Sequence, residues 1–205
     1  MTRRPYRTPP DRLAAAADTR ERVLVAAADM LREAQGPKGG FSLEGVAKAA
    51  GVTRLTVYNQ FGSRRGLLEA LFDHRAQEGG LHRLPAAVRD PDPRSALRRL
   101  VEIFCDFWSF NGNVIARLHA EALSDHELAQ AVRDRNARRR GALTVLLGRM
   151  VDAKYLEASE AADRIDVLMA VTSFAFYAEL AAGQPERARV RDQIVKLAIN
   201  IVEPG

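Results

Sequence analysis

A single cysteine in 205 residues excludes any disulfide within the chain, so this is not a small fold stapled by bridges. Cys105 lies in Ile103-Phe104-Cys105-Asp106-Phe107-Trp108 and reads as a buried small hydrophobe, which suits a reducing compartment. No apolar run approaches the roughly 20 residues that a bilayer-crossing helix needs. The arginine-bearing stretch Met1 to Pro10 is not followed by the hydrophobic segment of a signal peptide, so a soluble, cytoplasmic chain is expected. Strand signals are nearly absent, with no sustained period-two alternation and no Asn-Gly or Asp-Gly between apolar runs. Catalytic signatures are missing as well: there is no Gly-x-Ser-x-Gly, Walker loop, Rossmann fingerprint or His-Glu-x-x-His. Gly36-Pro37-Lys38-Gly39-Gly40 lacks the following Ser or Thr of a phosphate loop, and His74, His82, His119, His126 and Cys105 show no metal-ligand spacing. The sequence therefore asks for no enzyme activity, no metal and no cofactor.

What is present is a well-supplied core and an uneven charge. Apolar residues make up 47% of the chain, ample for packing. The net charge is +5, and residues 1–75 hold 13 Lys and Arg against 8 Asp and Glu, whereas residues 76–205 hold 18 of each. The whole excess lies in the N-terminal third, where a polyanion would be met.

Helix punctuation runs along the chain. Asp18 with Glu21 resembles a capping box, followed by Val23, Ala27, Met30 and Leu31 at helical spacing and by Gly36-Pro37 as a stop. Ser42 is a good N-cap for a short helix with Val46, Ala47 and Ala50 inward, stopped at Gly51. Thr53 caps a third helix to about Phe61, and Ser63 caps a fourth with Leu67, Leu68, Leu71 and Phe72 on its buried side. Longer helices follow at about 93–110, 113–123, 125–152, 159–182 and 186–202, with Asn111-Gly112 among the breaks. The fold class is all-α. The chain divides into a flexible basic arm at 1–17, a helix-turn-helix DNA-binding domain at 18–62, a connecting helix at 63–80, and a ligand-binding and dimerisation domain at 81–205.

The segment Ser42 to Phe61, SLEGVAKAAGVTRLTVYNQF, is two short helices about a tight turn, which is the helix-turn-helix arrangement. Gly51 stands where the turn needs positive φ, small residues let the helices approach, and Val52 and Val57 fill the space between them. The run Thr19 to Phe72, with TRERVLVAAADML, this segment and GSRRGLLEALF, resembles the DNA-binding domain of TetR-family regulators, including the aromatic pair Tyr58 and Phe61. It covers about a quarter of the chain. The resemblance implies that Ser42, Thr53 and Tyr58 touch phosphates and that Arg54, Leu55, Thr56 and Asn59 lie near base edges. The chemistry agrees: hydroxyls suit phosphate oxygens, arginine suits guanine O6 and N7, and leucine suits a thymine methyl. Gln60 and Arg64 are expected on the backbone, with Arg64 standing where the family usually has lysine. Glu44 faces the same side, either as a helix cap, which we favour, or as an acceptor for a cytosine amine. The arm Thr2 to Arg12 either reaches a minor groove or is a disordered tail.

One helix-turn-helix covers a half-site, so useful affinity needs a homodimer with two copies about 34 Å apart. The stripes Ile165, Leu168, Met169, Thr172, Phe176, Leu180 and Val190, Ile194, Leu197, Ala198, Ile201 suit either a dimer bundle or core packing. The family resemblance favours the dimer, placing Ile165, Met169, Thr172, Phe176, Val190, Ile194, Leu197 and Ile201 at the interface. A pocket for a small-molecule effector would have Phe104, Phe107, Trp108, Leu118, Leu147, Met150, Phe174 and Tyr177 as apolar lining. Asp106, Arg117, His119 and Glu121 are its polar groups, each of them paired, exposed or used on the ligand. Arg133 to Arg140 reads as a solvated helix face. The function that results is a repressor released from palindromic operator DNA by a small hydrophobic ligand. The alternatives are an activator of the same fold and a helix-turn-helix protein-interaction module, which loss of binding at raised salt would separate from a DNA binder.

Overall fold

The computed structural model describes residues 10–33, 41–184 and 186–203, and among these every regular element is helical. The order is α1 (Pro10–Glu33), α2 (Leu43–Ala49), α3 (Arg54–Phe61), α4 (Arg64–Glu78), α5 (Leu84–Val88), α6 (Pro93–Ala122), α7 (His126–Asp152), α8 (Ala161–Val171), α9 (Phe174–Ala182) and α10 (Arg187–Val202). Short 3-10 turns, Leu81–Arg83 and Ala158–Glu160, precede α5 and α8. The chain forms two compact units, Met1–Phe72 and Asp73–Gly205, and the division falls within α4. The basic arm's first nine residues and the Gly36-Pro37 stop lie outside the described residues.

In the first unit, Val23, Leu24, Ala27 and Leu31 of α1 are buried together with Val46, Ala47, Val57, Leu67, Leu68 and Leu71. The first helix starts at Pro10, eight residues before the expected Asp18. Leu13-Ala14-Ala15-Ala16-Ala17 has high helix propensity, which carries the helix back, so residues 10–17 are helix and not arm. Asp18 instead pairs with Arg22 at 3.2 Å in mid-helix.

The second unit has a core of Leu97, Leu100, Val101, Phe104, Leu143, Leu146, Leu147, Met150, Leu168, Val190, Ile194 and Ala198. Asp92 caps α6 by accepting from the amides of Arg94 and Ser95, with Pro93 in the first turn where its missing N–H costs nothing. α6 does not stop at Asn111-Gly112: Asn111 is buried, accepts from Arg75 Nε at 2.7 Å and donates to the Phe107 carbonyl at 3.2 Å. Val114, Ile115 and Leu118 are buried beyond it, which outweighs the roughly 1 kcal/mol that a helical glycine costs. Conversely, the single helix expected over 159–182 is broken at Thr172-Ser173, because the Ser173 hydroxyl accepts from the Phe176 amide and starts α9 afresh.

Candidate nucleic-acid interface

The turn between α2 and α3 is built from its caps. The Ser42 hydroxyl accepts from Gly45 N at 3.1 Å, and the Thr53 hydroxyl accepts from Thr56 N at 3.1 Å. Gly51, at φ +66°, occupies the left-handed region that the turn requires. Val46, Ala47 and Val57 close the inner side. With that side fixed, α3 turns Arg54, Leu55, Tyr58 and Asn59 outward, Leu55 being 66% and Tyr58 56% exposed. A large apolar side chain and a tyrosine left in water beside an arginine and an amide form a surface that can meet both base edges and phosphates. Thr56 is half-buried, its hydroxyl 2.8 Å from that of Thr53, so it serves the cap as well as the face.

Two expected contacts have other duties. Gln60 Nε2 donates to the Ala16 carbonyl at 3.1 Å, tying α3 to α1, and Arg20 stacks its guanidinium 4.5 Å over the Phe61 ring beside it. Arg64 Nε donates to the Phe41 carbonyl at 2.9 Å, with its guanidinium 5.5 Å over the Phe41 ring. Each side chain is thus a brace within the unit, a role its position in the sequence did not reveal. The capping bond expected of Glu44 is made by Ser42, while exposed Glu44 sits in the first turn of α2, where the helix dipole favours a negative charge. Gly66 is a further requirement missed from sequence: a Cβ there would lie 2.1 Å from the Phe61 carbonyl oxygen, so the passage from α3 into α4 admits only glycine.

Residues 24–71 match the family described as bacterial regulatory proteins, tetR family. Over 126 residues the chain is also 36% identical to the HTH-type transcriptional regulator EthR of Mycolicibacterium smegmatis, a stretch covering 57% of this chain. The chain is similar to TetR-family regulators over its helix-turn-helix segment. It spans about half, 54%, of the length of that curated relative. Among solved structures, a putative TetR-family transcriptional regulator from Syntrophomonas wolfei superposes with TM-score 0.73 at 13% identity, covering 91% of this chain and 95% of that one. A second, from a Rhodococcus species, gives TM-score 0.70 at 19% identity, with 91% and 98% covered. At these identities the structural likeness speaks for the fold.

In the C-terminal unit, Phe104, Phe107, Phe174 and Tyr177 are buried, and Trp108 is half-buried with rings of Phe104, Phe107 and Phe174 at 6.0, 4.8 and 5.7 Å. Leu147 and Met150 are fully buried members of the helical core. His119 stands edge-on to Phe174 at 5.5 Å, and its burial, then the charge of Arg139, hold its pKa below the usual histidine value. Arg117 pairs with Glu121 at 2.9 Å. Asp106 is partly exposed and sits between Arg83 at 2.9 Å and Arg191 at 3.6 Å. The expected dimer stripe also divides. Ile165, Thr172, Val190 and Ile194 are buried within the subunit and cannot form its outer face, because α10 packs that side onto α6 and α8. Met169, Phe176 and Ile201 are half-buried, and Leu197, with Val167 of α8, is exposed. Arg139 departs from the solvated face expected for 133–140, being buried, while Arg133, Arg138 and Arg140 are exposed. No single described helix is long and apolar enough to cross a membrane.

Proposed function

We propose that the protein is a DNA-binding transcriptional regulator: a repressor that holds a palindromic operator as a homodimer and releases it when a small, mainly apolar molecule enters the C-terminal unit. The observation that carries this reading is the outer face of α3, where Arg54, Leu55, Tyr58 and Asn59 stand exposed on a helix whose caps and buried side are fixed from within. The N-terminal confinement of the positive charge supports it, since phosphate neutralisation supplies most of non-specific DNA affinity. A second copy is required because one recognition helix reads only one half-site. Its contact surface is assigned to the outward side of α8 and α10, including Leu197 and Val167. The aromatic group around Trp108 supplies the apolar side of an effector site. An effector shifts DNA affinity only by its differential affinity for the two conformations; a coupling of about 1 to 3 kcal/mol corresponds to roughly 5- to 150-fold.

The test is selection of preferred duplexes from a random library by the purified protein, followed by binding at several salt concentrations. Arg54→Ala is expected to relax preference at one position in each half-site by about 1 to 3 kcal/mol, whereas Tyr58→Phe weakens all duplexes alike. Uniform weakening by Arg54→Ala would move that arginine to a phosphate, and a wild-type protein without any sequence preference would remove the operator reading.

A further inference from the structure

Arg139 is the one buried cation in the described C-terminal unit with no carboxylate partner, its residue only 7% exposed. Nη1 donates to the Thr172 carbonyl at 2.5 Å and Nη2 to the Met169 carbonyl at 3.1 Å, while Nε–H is buried without an acceptor. Two of five N–H groups are therefore spent on the C-terminal carbonyls of α8, which explains why that helix end is held but not why a full charge was chosen to hold it. Partial charges at a helix terminus do not neutralise a guanidinium, and a buried cation left without its counter-charge is costly. Its guanidinium lies over the Phe104 ring at 5.9 Å, and burial, then the repulsive charge of Arg140, bring its pKa down to about 10.

The surroundings are aromatic. Trp108 Nε1 donates to the same Thr172 carbonyl at 3.1 Å, so the indole and the guanidinium meet on one acceptor at the break between α8 and α9. His119, turned to Phe174, is held toward its neutral form by burial and by Arg139, and so adds no compensating charge. Apolar rings around an uncompensated, partly unsatisfied guanidinium are suited to a molecule with an apolar body and one anionic end.

We infer that Arg139 receives the carboxylate of an amphipathic acid, the Nε–H and the remaining guanidinium donors binding the anion while Phe104, Trp108 and Phe174 face its apolar part. This rests on the proposed reading of the C-terminal unit as an effector-binding domain and names the chemical class of the effector. Trp108 is the sole tryptophan, so its emission reports the site directly.

The experiment titrates the full chain with 4-phenylbutyrate and decanoate, and with the matching uncharged 4-phenylbutan-1-ol and decan-1-ol, following Trp108 emission and heat of binding. In the wild type each acid should bind at least about tenfold more tightly than its alcohol, the difference between a charge-assisted and a neutral contact. Arg139→Met should lose that preference, and Arg139→Lys, which keeps the charge without the fork, should retain part of it. If Arg139→Met does not fold, the wild-type comparison and Arg139→Lys decide. Equal affinities for acid and alcohol in the wild type, no acid binding at millimolar concentration, or an acid preference that survives in folded Arg139→Met would each overturn the inference. Its fate is separable from that of the effector reading: an acid that binds through Arg139 but leaves DNA-bound protein in place upholds the anion site and overturns ligand release. An alcohol that binds as well as its acid and displaces DNA does the reverse.

Discussion

Ile194 and Leu197 stand three residues apart on α10 and look equivalent in sequence, but the structure gives them opposite surroundings. Ile194 is 1% exposed within the core of the second unit, and Leu197 is 41% exposed. Ile194→Ala empties a fully packed site, and such truncations cost about 2 to 5 kcal/mol. With a urea dependence of about 1 to 3 kcal/mol per molar, the unfolding midpoint should fall by on the order of 1 to 2 M. Leu197→Asp places a charge on a surface, where a lone subunit should feel no more than about 0.5 kcal/mol. In the proposed dimer, the same charge would be buried unpaired and the subunits should separate. The assays are urea unfolding at fixed protein concentration, because dimer stability depends on it, and sedimentation of folded protein at micromolar concentration. Ile194→Ala should remain dimeric but fragile, and Leu197→Asp should be helical, monomeric and weak on DNA. An unchanged urea midpoint for Ile194→Ala would refute the interior placement. An intact dimer for Leu197→Asp would move the subunit interface away from this part of α10.

Gly66→Ala should lower the melting temperature and displace α3, because its Cβ would meet a backbone oxygen. Gly112→Ala, in mid-α6 with nothing within 4 Å of the added carbon, should instead stabilise by about 0.5 to 1 kcal/mol; thermal unfolding of the pair checks both. The pH dependence should carry the signature of His119, whose lowered native pKa means that the unfolded chain takes up its proton first. Stability is then fully present above about pH 6.5 and is lost as pH falls below it, and His119→Gln should flatten that decline in urea midpoints measured from pH 7.5 to 5. An equally steep decline in the variant would assign it to other groups.

The helix-turn-helix was legible because local chemistry specifies it: Ser42 and Thr53 cap, Gly51 turns, and the small inner residues admit a close helix pair. Helix ends decided by packing were not legible. Asn111-Gly112 reads as a stop until Arg75 is seen to satisfy the buried amide, and Thr172-Ser173 reads as ordinary helix until the Ser173 hydroxyl is seen to cap. Gln60 and Arg64 have the residue types of DNA contacts, but their partners, the carbonyls of Ala16 and Phe41, are 44 and 23 residues away and leave no local trace. The same holds for Arg139, one arginine in a basic run, whose acceptors lie about 30 residues on. A stripe of apolar residues likewise shows that a helix buries a face, but not whether it buries it against its own subunit or another.

Whether the exposed face of α3 reads DNA from two symmetric subunits is decided by footprinting the purified full chain over fragmented genomic DNA, with Arg54→Ala as the paired variant. Protected sites should share inverted half-sites whose centres are about 34 Å apart or a multiple of it, with the preference in each half-site altered by the variant. Protection that follows no sequence, or sites without inverted symmetry that Arg54→Ala leaves unchanged, would contradict that reading.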